Sequence, residues 1–228
     1  MAGKRTAALL ALVFLGSAAA QVNLNTAQFE TEAAQRDQFG PEAFQFDFPA
    51  VAANTAAGSI RNMDLGSNPF LGTLPHGGLA QNEDVFSPCT INVPHVHPRG
   101  NEIYYVIDGA LEWGIQQEAG ATTGFSTGNL TSGQLVVVPQ GLLHYVYNPS
   151  CSTTRLLQFW DNSDFGTVIQ YANIVNNFPV EVLNAFTGLD ASEIEVLKAA
   201  VPKPTGAITQ GSICLERCGV APTPTAGK

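Results

Sequence analysis

Four residues of this chain have the types and the spacing to hold a metal ion: His95, His97, Glu102 and His144. In an extended strand successive side chains alternate between faces, so His95 and His97 aim two imidazoles to one side while Val96 points to the other. Pro98, Arg99, Gly100 and Asn101 are turn formers, and they return the chain so that Glu102 opens a second strand, residues 102–107, beside the first. Asp108-Gly109, set between apolar runs, predicts a type I′ hairpin turn into residues 110–116. A lone His-x-His is ambiguous, because two strand histidines can equally be half-buried and bonded to neighbours. The stretch 133–148 changes the balance: a strand, a turn at Pro139-Gln140-Gly141, and a strand that carries His144. Three of the four histidines thus sit on strands bounded by Pro/Gly turns, and the metal reading is favoured. His76, followed by Gly77-Gly78, shares no spacing with them and reads as a loop histidine.

Three neutral imidazoles and one carboxylate leave positions open on a six-coordinate ion. This donor set suits Mn²⁺ or Fe²⁺, whereas Cu²⁺ or Zn²⁺ would bind more tightly and must be excluded by geometry or supply. A closed structural zinc site would use Cys and fill all four positions. Tyr104 and Val106 share the alternation face of Glu102, and Leu142 and Val146 that of His144, so the ion would sit in an apolar interior. Such surroundings strengthen its pull on an anionic ligand.

Both stretches resemble the two sequence boxes of germin-like cupins. The first, His-x-His, four residues, Glu, six residues, Gly, is matched by His95, His97, Glu102 and Gly109. The second, Gly, five residues, Pro-x-Gly, two residues, His, three residues, Asn, is matched by Gly133, Pro139, Gly141, His144 and Asn148. The resemblance extends more weakly over residues 39–200, including Asn162-Ser163, Gly166 and Phe178-Pro179. It implies an all-β cupin barrel, a double-stranded β-helix of jelly-roll type, with a C-terminal helical extension. It also implies one Mn²⁺ (alternatively Fe²⁺), and either oxidation of a small carboxylate such as oxalate by O₂ or dismutation of superoxide. The other outcome is a non-catalytic extracellular metal-binding or structural protein, as in spherulins that accumulate on encystment. Alignment with germin oxalate oxidases places Asn82 and Asn92 on the two asparagines that contact the dicarboxylate there. Strict alternation puts Asn92 on the face opposite His95, so that role requires a bulge near Pro94. Plant germins usually begin the first box with Gly, six residues before the first His, where this chain has Cys89. With its different cysteine pattern, the chain looks closer to the spherulin-like and fungal branch.

Residues 1–20 carry Lys4 and Arg5, an apolar run over 7–15, and Ser17-Ala18-Ala19-Ala20, the layout of a secretory signal peptide. The expected mature chain is soluble and extracellular or in the cell wall. Losing Lys4 and Arg5 takes the formal charge from −9 to −11. An acidic chain with no Lys/Arg cluster disfavours nucleic-acid and membrane-surface partners. Residues 21–202 are expected to be one cupin domain and 203–228 a Pro/Thr-containing tail. Residues 28–39 favour a helix, and Phe44, Phe46 and Phe48 a short strand. Residues 51–79 read as loop with short strands, and short β runs at close intervals from 85 to 171 indicate a sandwich or barrel. The polar stretch 120–133 reads as a loop carrying the sequon Asn129-Leu130-Thr131. Residues 179–186 and 192–200 have helical periodicity, Ser192 and Glu195 matching a capping box and Pro202 a stop. Their apolar face (Val182, Leu183, Phe186, Ile194, Leu197, Val201) predicts either packing on the chain's own barrel or, as the resemblance implies, a homo-oligomer, a hexamer built as a trimer of dimers. Among the three possible cysteine pairings, Cys89–Cys151 with Cys214–Cys218 is favoured, since Cys89 precedes the first box and Cys151 follows the second.

Overall fold

The computed structural model describes residues 31–45, 47–48, 54–201 and 208–221. The leader 1–20, Phe46 and Pro202 lie outside them. In chain order the elements are α1 (Glu32–Arg36), β1 (Asn54–Thr55), β2 (Gly58–Met63), β3 (Ala80–Phe86), β4 (Thr90–Val96), β5 (Glu102–Asp108) and β6 (Ala110–Gln116). There follow β7 (Phe125–Thr131), β8 (Leu135–Val138), β9 (His144–Tyr147), β10 (Thr154–Trp160), β11 (Val168–Ile169), α2 (Gln170–Asn177), α3 (Val180–Thr187), α4 (Ala191–Ala200), β12 (Ile208–Gln210) and α5 (Ser212–Arg217).

The strands form two antiparallel sheets: β1-β2-β3-β10-β5-β8, and β11-β4-β9-β6-β7 with β12 added on β4. From β3 to β6 each strand lies in the sheet opposite its predecessor, and the chain crosses again into β8, β9, β10 and β11. This jelly-roll winding corrects two expectations. The 98–101 turn does not lay β5 beside β4, and Asp108-Gly109 is not a hairpin turn; β5 pairs with β10 and β8, while β6 pairs with β7 and β9. A single residue separates β5 from β6, too short to reverse the chain into a paired hairpin, so Gly109 turns a corner between sheets. Its φ is +94°, and a Cβ there would meet Thr154 Oγ1 at 2.6 Å, which no other L residue relieves.

The inward faces of both sheets supply the core: Phe86, Tyr104, Val106, Leu111, Val146 and Leu156 are all buried, with Ile115, Leu130, Val136 and Val138 around them. Each large apolar side chain removed from water contributes about 1.5–3 kcal/mol, so the barrel is held chiefly by this layer. Residues 120–133 are not a loop: β7 pairs along the whole of β6. Only Leu130 of β7 is buried, so the sequence lacks the apolar alternation that marks a strand. Nor do Phe44, Phe46 and Phe48 make a described strand; Phe44 follows a 3-10 turn (Pro41–Ala43) and packs its ring 4.7 Å from Phe70.

In the C-terminal helices Leu183 and Ile194 are fully buried, whereas Val182, Phe186 and Val196 are exposed. The cap of α4 is Asp190, not Ser192: its carboxylate accepts from Ser192 N and Glu193 N at 2.8 and 2.9 Å, and Asp190 N donates to Glu193 Oε2 at 2.8 Å. The largest departure is in the last segment. Instead of a free tail, β12 pairs antiparallel with β4 through Ile208–Asn92, Thr209–Ile91 and Gln210–Thr90. The disulfides follow it: Cys89 bonds Cys214 and Cys151 bonds Cys218, correcting the expected pairing. Cys89 does lie beside the other strand end, its N–H donating to Ser150 O at 3.3 Å, but α5 brings both tail cysteines to the same place. Cys89 also has φ +63°, the left-handed conformation that glycine adopts without cost. The residue type departs from the plant pattern while its backbone takes a conformation suited to the glycine usual there.

Candidate metal centre

His95 lies near the end of β4 and His97 just beyond it, Glu102 opens β5 and His144 opens β9. Pairing of His95 with His144 across β4 and β9 sets two imidazoles side by side. Gly141 N donates to His97 O at 2.9 Å, fastening the turn of the second box to the end of the first. At the mouth, Asn101 N and Nδ2 donate to Asp161 at 2.8 and 2.6 Å, and Gln140 N donates to Asn101 Oδ1 at 3.0 Å, so three loops are tied together. Asn148, the last residue of the second box, is structural: its Nδ2 donates to Ser87 O and Ser152 O at 3.0 and 2.8 Å, and its Oδ1 accepts from Ser150 N at 3.0 Å.

Each imidazole directs Nδ1 at a backbone carbonyl: His95 to Val93 O at 2.6 Å, His97 to Gly166 O at 2.5 Å and His144 to Leu142 O at 2.9 Å. A carbonyl only accepts, so Nδ1 carries the proton and each Nε2 presents a lone pair to the centre. His95 Nε2 and His97 Nε2 are 3.2 Å apart, a contact between two lone pairs that a shared cation would relieve. Glu102 Oε2 lies 2.9 Å from His144 Nε2 and 3.3 Å from His97 Nε2, but both its oxygens are buried without a partner of hydrogen-bond geometry among the described residues. The four donor atoms all lie within 4.8 Å of one another and all four residues are buried. Ligands at bonds of about 2.1 Å to one ion sit about 3 Å from their neighbours, so this spacing fits.

The protonation states suit the same purpose. Burial by itself would raise Glu102, but in the metal-free chain a proton on the facing His144 or His97 Nε2, the position an ion would take, outweighs it and holds the carboxyl down at about 2. Burial, reinforced by His144, lowers His95 from 6.5 to about 3 and keeps it neutral. The Tyr104 hydroxyl is 3.5 Å from His144 Nε2, and burial and then Glu102 push its pKa up.

Asn82 and Asn92 are both buried on inward positions. The register of β4 on β9 shifts between Asn92 and His95, the bulge that an inward Asn92 requires. Each leaves its Oδ1 without a hydrogen-bond partner among the described residues. Trp160 and Phe165, which the sequence reading passed over, stack at 4.0 Å and 9°, with the His97 ring 5.4 and 5.0 Å away edge-on. Their apolar faces shield that side of the site. His76 stands apart on an exposed 3-10 turn (Pro75–Gly77). The three-cysteine group Cys89, Cys214 and Cys218 offers no metal ligand, because those sulfurs are in disulfides.

Two facing sheets wound as a jelly roll, with three histidines and a glutamate converging inside, define a metal-site barrel protein. A cupin family model matches residues 44–195. A probable germin-like protein (subfamily 2 member 5) of Arabidopsis thaliana is 31% identical over 164 residues, 71% of this chain and 74% of the relative. The chain belongs to the cupin family, in its germin-like branch. Spherulin-1A of Physarum polycephalum is 27% identical over 178 residues, 77% of this chain and 70% of the relative. Among solved structures, recombinant oxalate oxidase in complex with glycolate shares the fold at a TM-score of 0.63 and 23% identity, over 70% of this chain and 81% of that one.

Proposed function

We propose that this chain is a secreted, manganese-dependent germin-like oxidoreductase acting on a small carboxylate such as oxalate, with O₂ as the oxidant. The observation that carries the reading is the set of three lone-pair Nε2 atoms and one ionised carboxylate aimed at one buried point; the buried, inward positions of Asn82 on β3 and Asn92 on β4 support the substrate role. His95, His97, Glu102 and His144 would hold the ion. Bound Mn²⁺ would supply a Lewis acid for a carboxylate oxygen and a redox path between carboxylate and O₂; Fe²⁺ is the alternative ion for the same donors. The residues do the rest. An amide NH₂ of Asn82 or Asn92 donates to a carboxylate oxygen and fixes its orientation. Trp160 and Phe165 keep bulk water from the His97 side. In the net reaction oxalate yields two CO₂, and its two electrons and two protons from solvent convert O₂ to H₂O₂.

Secretion is supported by the leader-like residues 1–20 and by two disulfides, which persist in oxidising compartments. No helix among the described residues is long and apolar enough to cross a membrane. Asn129 is exposed on β7, where a glycan on the sequon would meet solvent. A second reading, a non-catalytic metal-binding protein, draws on the likeness to spherulin. The deciding experiment supplies oxalate and O₂ to manganese-loaded mature protein and measures H₂O₂ and CO₂. Release of two CO₂ per H₂O₂ supports the oxidase; CO₂ without H₂O₂ rejects it for a decarboxylase; neither, with metal bound, favours the non-catalytic reading. Superoxide dismutation is separated by its own assay on the same preparation.

A further inference from the structure

Asp84 takes no part in the metal cluster, yet it is fully buried. It is the third inward residue of β3, after Ala80 and Asn82, on the wall that β3 forms with β10. Gln158 Nε2 on β10 donates to its Oδ2, while its Oδ1 has no partner among the described residues. The same wall holds two further buried atoms without partners among the described residues, Asn82 Oδ1 and Trp160 Nε1. It belongs to the sheet of Glu102 and lies across the barrel from the strands of the three histidines. A polar group buried without a partner costs about 1–3 kcal/mol, so such a cluster is expected where a ligand completes it.

An ionised Asp84 would be a buried anion with one amide donor and a second carboxylate, Glu102, within electrostatic reach. Burial first, and then Glu102, push its carboxyl well above the ordinary range. With Oδ2 accepting from Gln158, the proton belongs on Oδ1, a buried donor with no acceptor among the described residues. We propose that Asp84, positioned by Gln158, is a specificity-determining residue that donates a hydrogen bond from Oδ1 to the far carboxylate of a small dicarboxylate whose near carboxylate is held at the His95/His97/Glu102/His144 centre. This rests on the carboxylate reading above and narrows it to ligands with two acceptor ends. A monocarboxylate gains nothing from Asp84.

The test is anaerobic titration of manganese-loaded protein with oxalate and with acetate, followed by calorimetry and by the Mn²⁺ resonance signal, so that binding is read without turnover. Asp84→Leu should weaken oxalate about tenfold, leave acetate unchanged and keep full metal content. Asp84→Asn, which retains a neutral donor in nearly the same volume, should bind oxalate within about threefold of wild type and guards against a folding defect in the leucine variant. Equal loss of oxalate and acetate, tighter oxalate binding by Asp84→Asn, or unchanged oxalate binding by Asp84→Leu overturns the assignment while leaving the carboxylate reading intact. Wild-type protein that binds neither ligand overturns both.

Discussion

At the scale of single residues, the metal ligands were legible because their geometry is local. Alternation along one strand aligns His95 with His97, and the turn chemistry on either side fixes which residues open the next strands. What stayed hidden depends on pairing between distant strands: Asp84, Gln158, Trp160 and Phe165 enter the site only through β3, β10 and the loop after it. An acid at an inward position of Ala80, Asn82, Asp84, Phe86 is visible once that run is known to be a strand, but its polar residues conceal the apolar alternation. Two outcomes follow here. Glu102→Gln and His144→Ala should each strip most bound metal, read by elemental analysis, and lower the melting temperature of the metal-supplied protein. Acid should also destabilise the metal-stripped chain. His95 has a pKa of about 3 when folded against 6.5 ordinarily, so between these values the unfolded chain binds more protons. The group costs nothing above about pH 6.5 and destabilises the fold progressively as pH falls toward 3, a change on the order of 5 kcal/mol. Glu102, lowered from 4.5 to about 2, adds a loss of the same sign between those values. Thermal melts across this range should show a slope that His95→Gln reduces; identical slopes contradict the assignment.

Most strands could be read from the sequence, but not the sheet in which each lies. Local turn signals predicted hairpins at 98–101 and 108–109, whereas the core requires those strands to face each other across the barrel. The final segment failed for a related reason. β12 has only three residues, Ile208–Gln210, and no pattern in so short a run reveals that it pairs with β4. There it continues the edge that β11 covers at His95 and Val96, so both ends of the metal-bearing strand are paired. Non-reducing peptide mapping should recover Cys89 with Cys214 and Cys151 with Cys218. The two bridges lie together, Cys89 Sγ being 3.7 Å from Cys218 Sγ, so a Cys89–Cys151 peptide would be a clear contradiction. Reduction should lower unfolding stability by about 2–5 kcal/mol. Gly109→Val should cost more than a surface change and leave little folded protein, because of its φ of +94° and the nearby Thr154 backbone.

For the whole molecule, the barrel accounts for its own core but leaves Val182, Phe186 and Val196 exposed on α3 and α4. Leu183 and Ile194, expected among subunit contacts, are instead fully buried within the chain. We propose that the exposed residues of this helical pair meet another copy of the chain. Light scattering should give a mass several times that of one chain, collapsing on Phe186→Glu; a monomer at micromolar concentration rejects this. Every functional property proposed for the molecule depends, however, on the metal centre. Its most direct measurement is metal content per chain of the purified mature protein beside a His97→Ala/His144→Ala variant prepared identically. The four-ligand centre predicts close to one ion in the wild type and nearly none in the variant, and the proposed function predicts that the ion is chiefly manganese. Equal metal in both, or a wild type that takes up none when manganese is supplied, would contradict it.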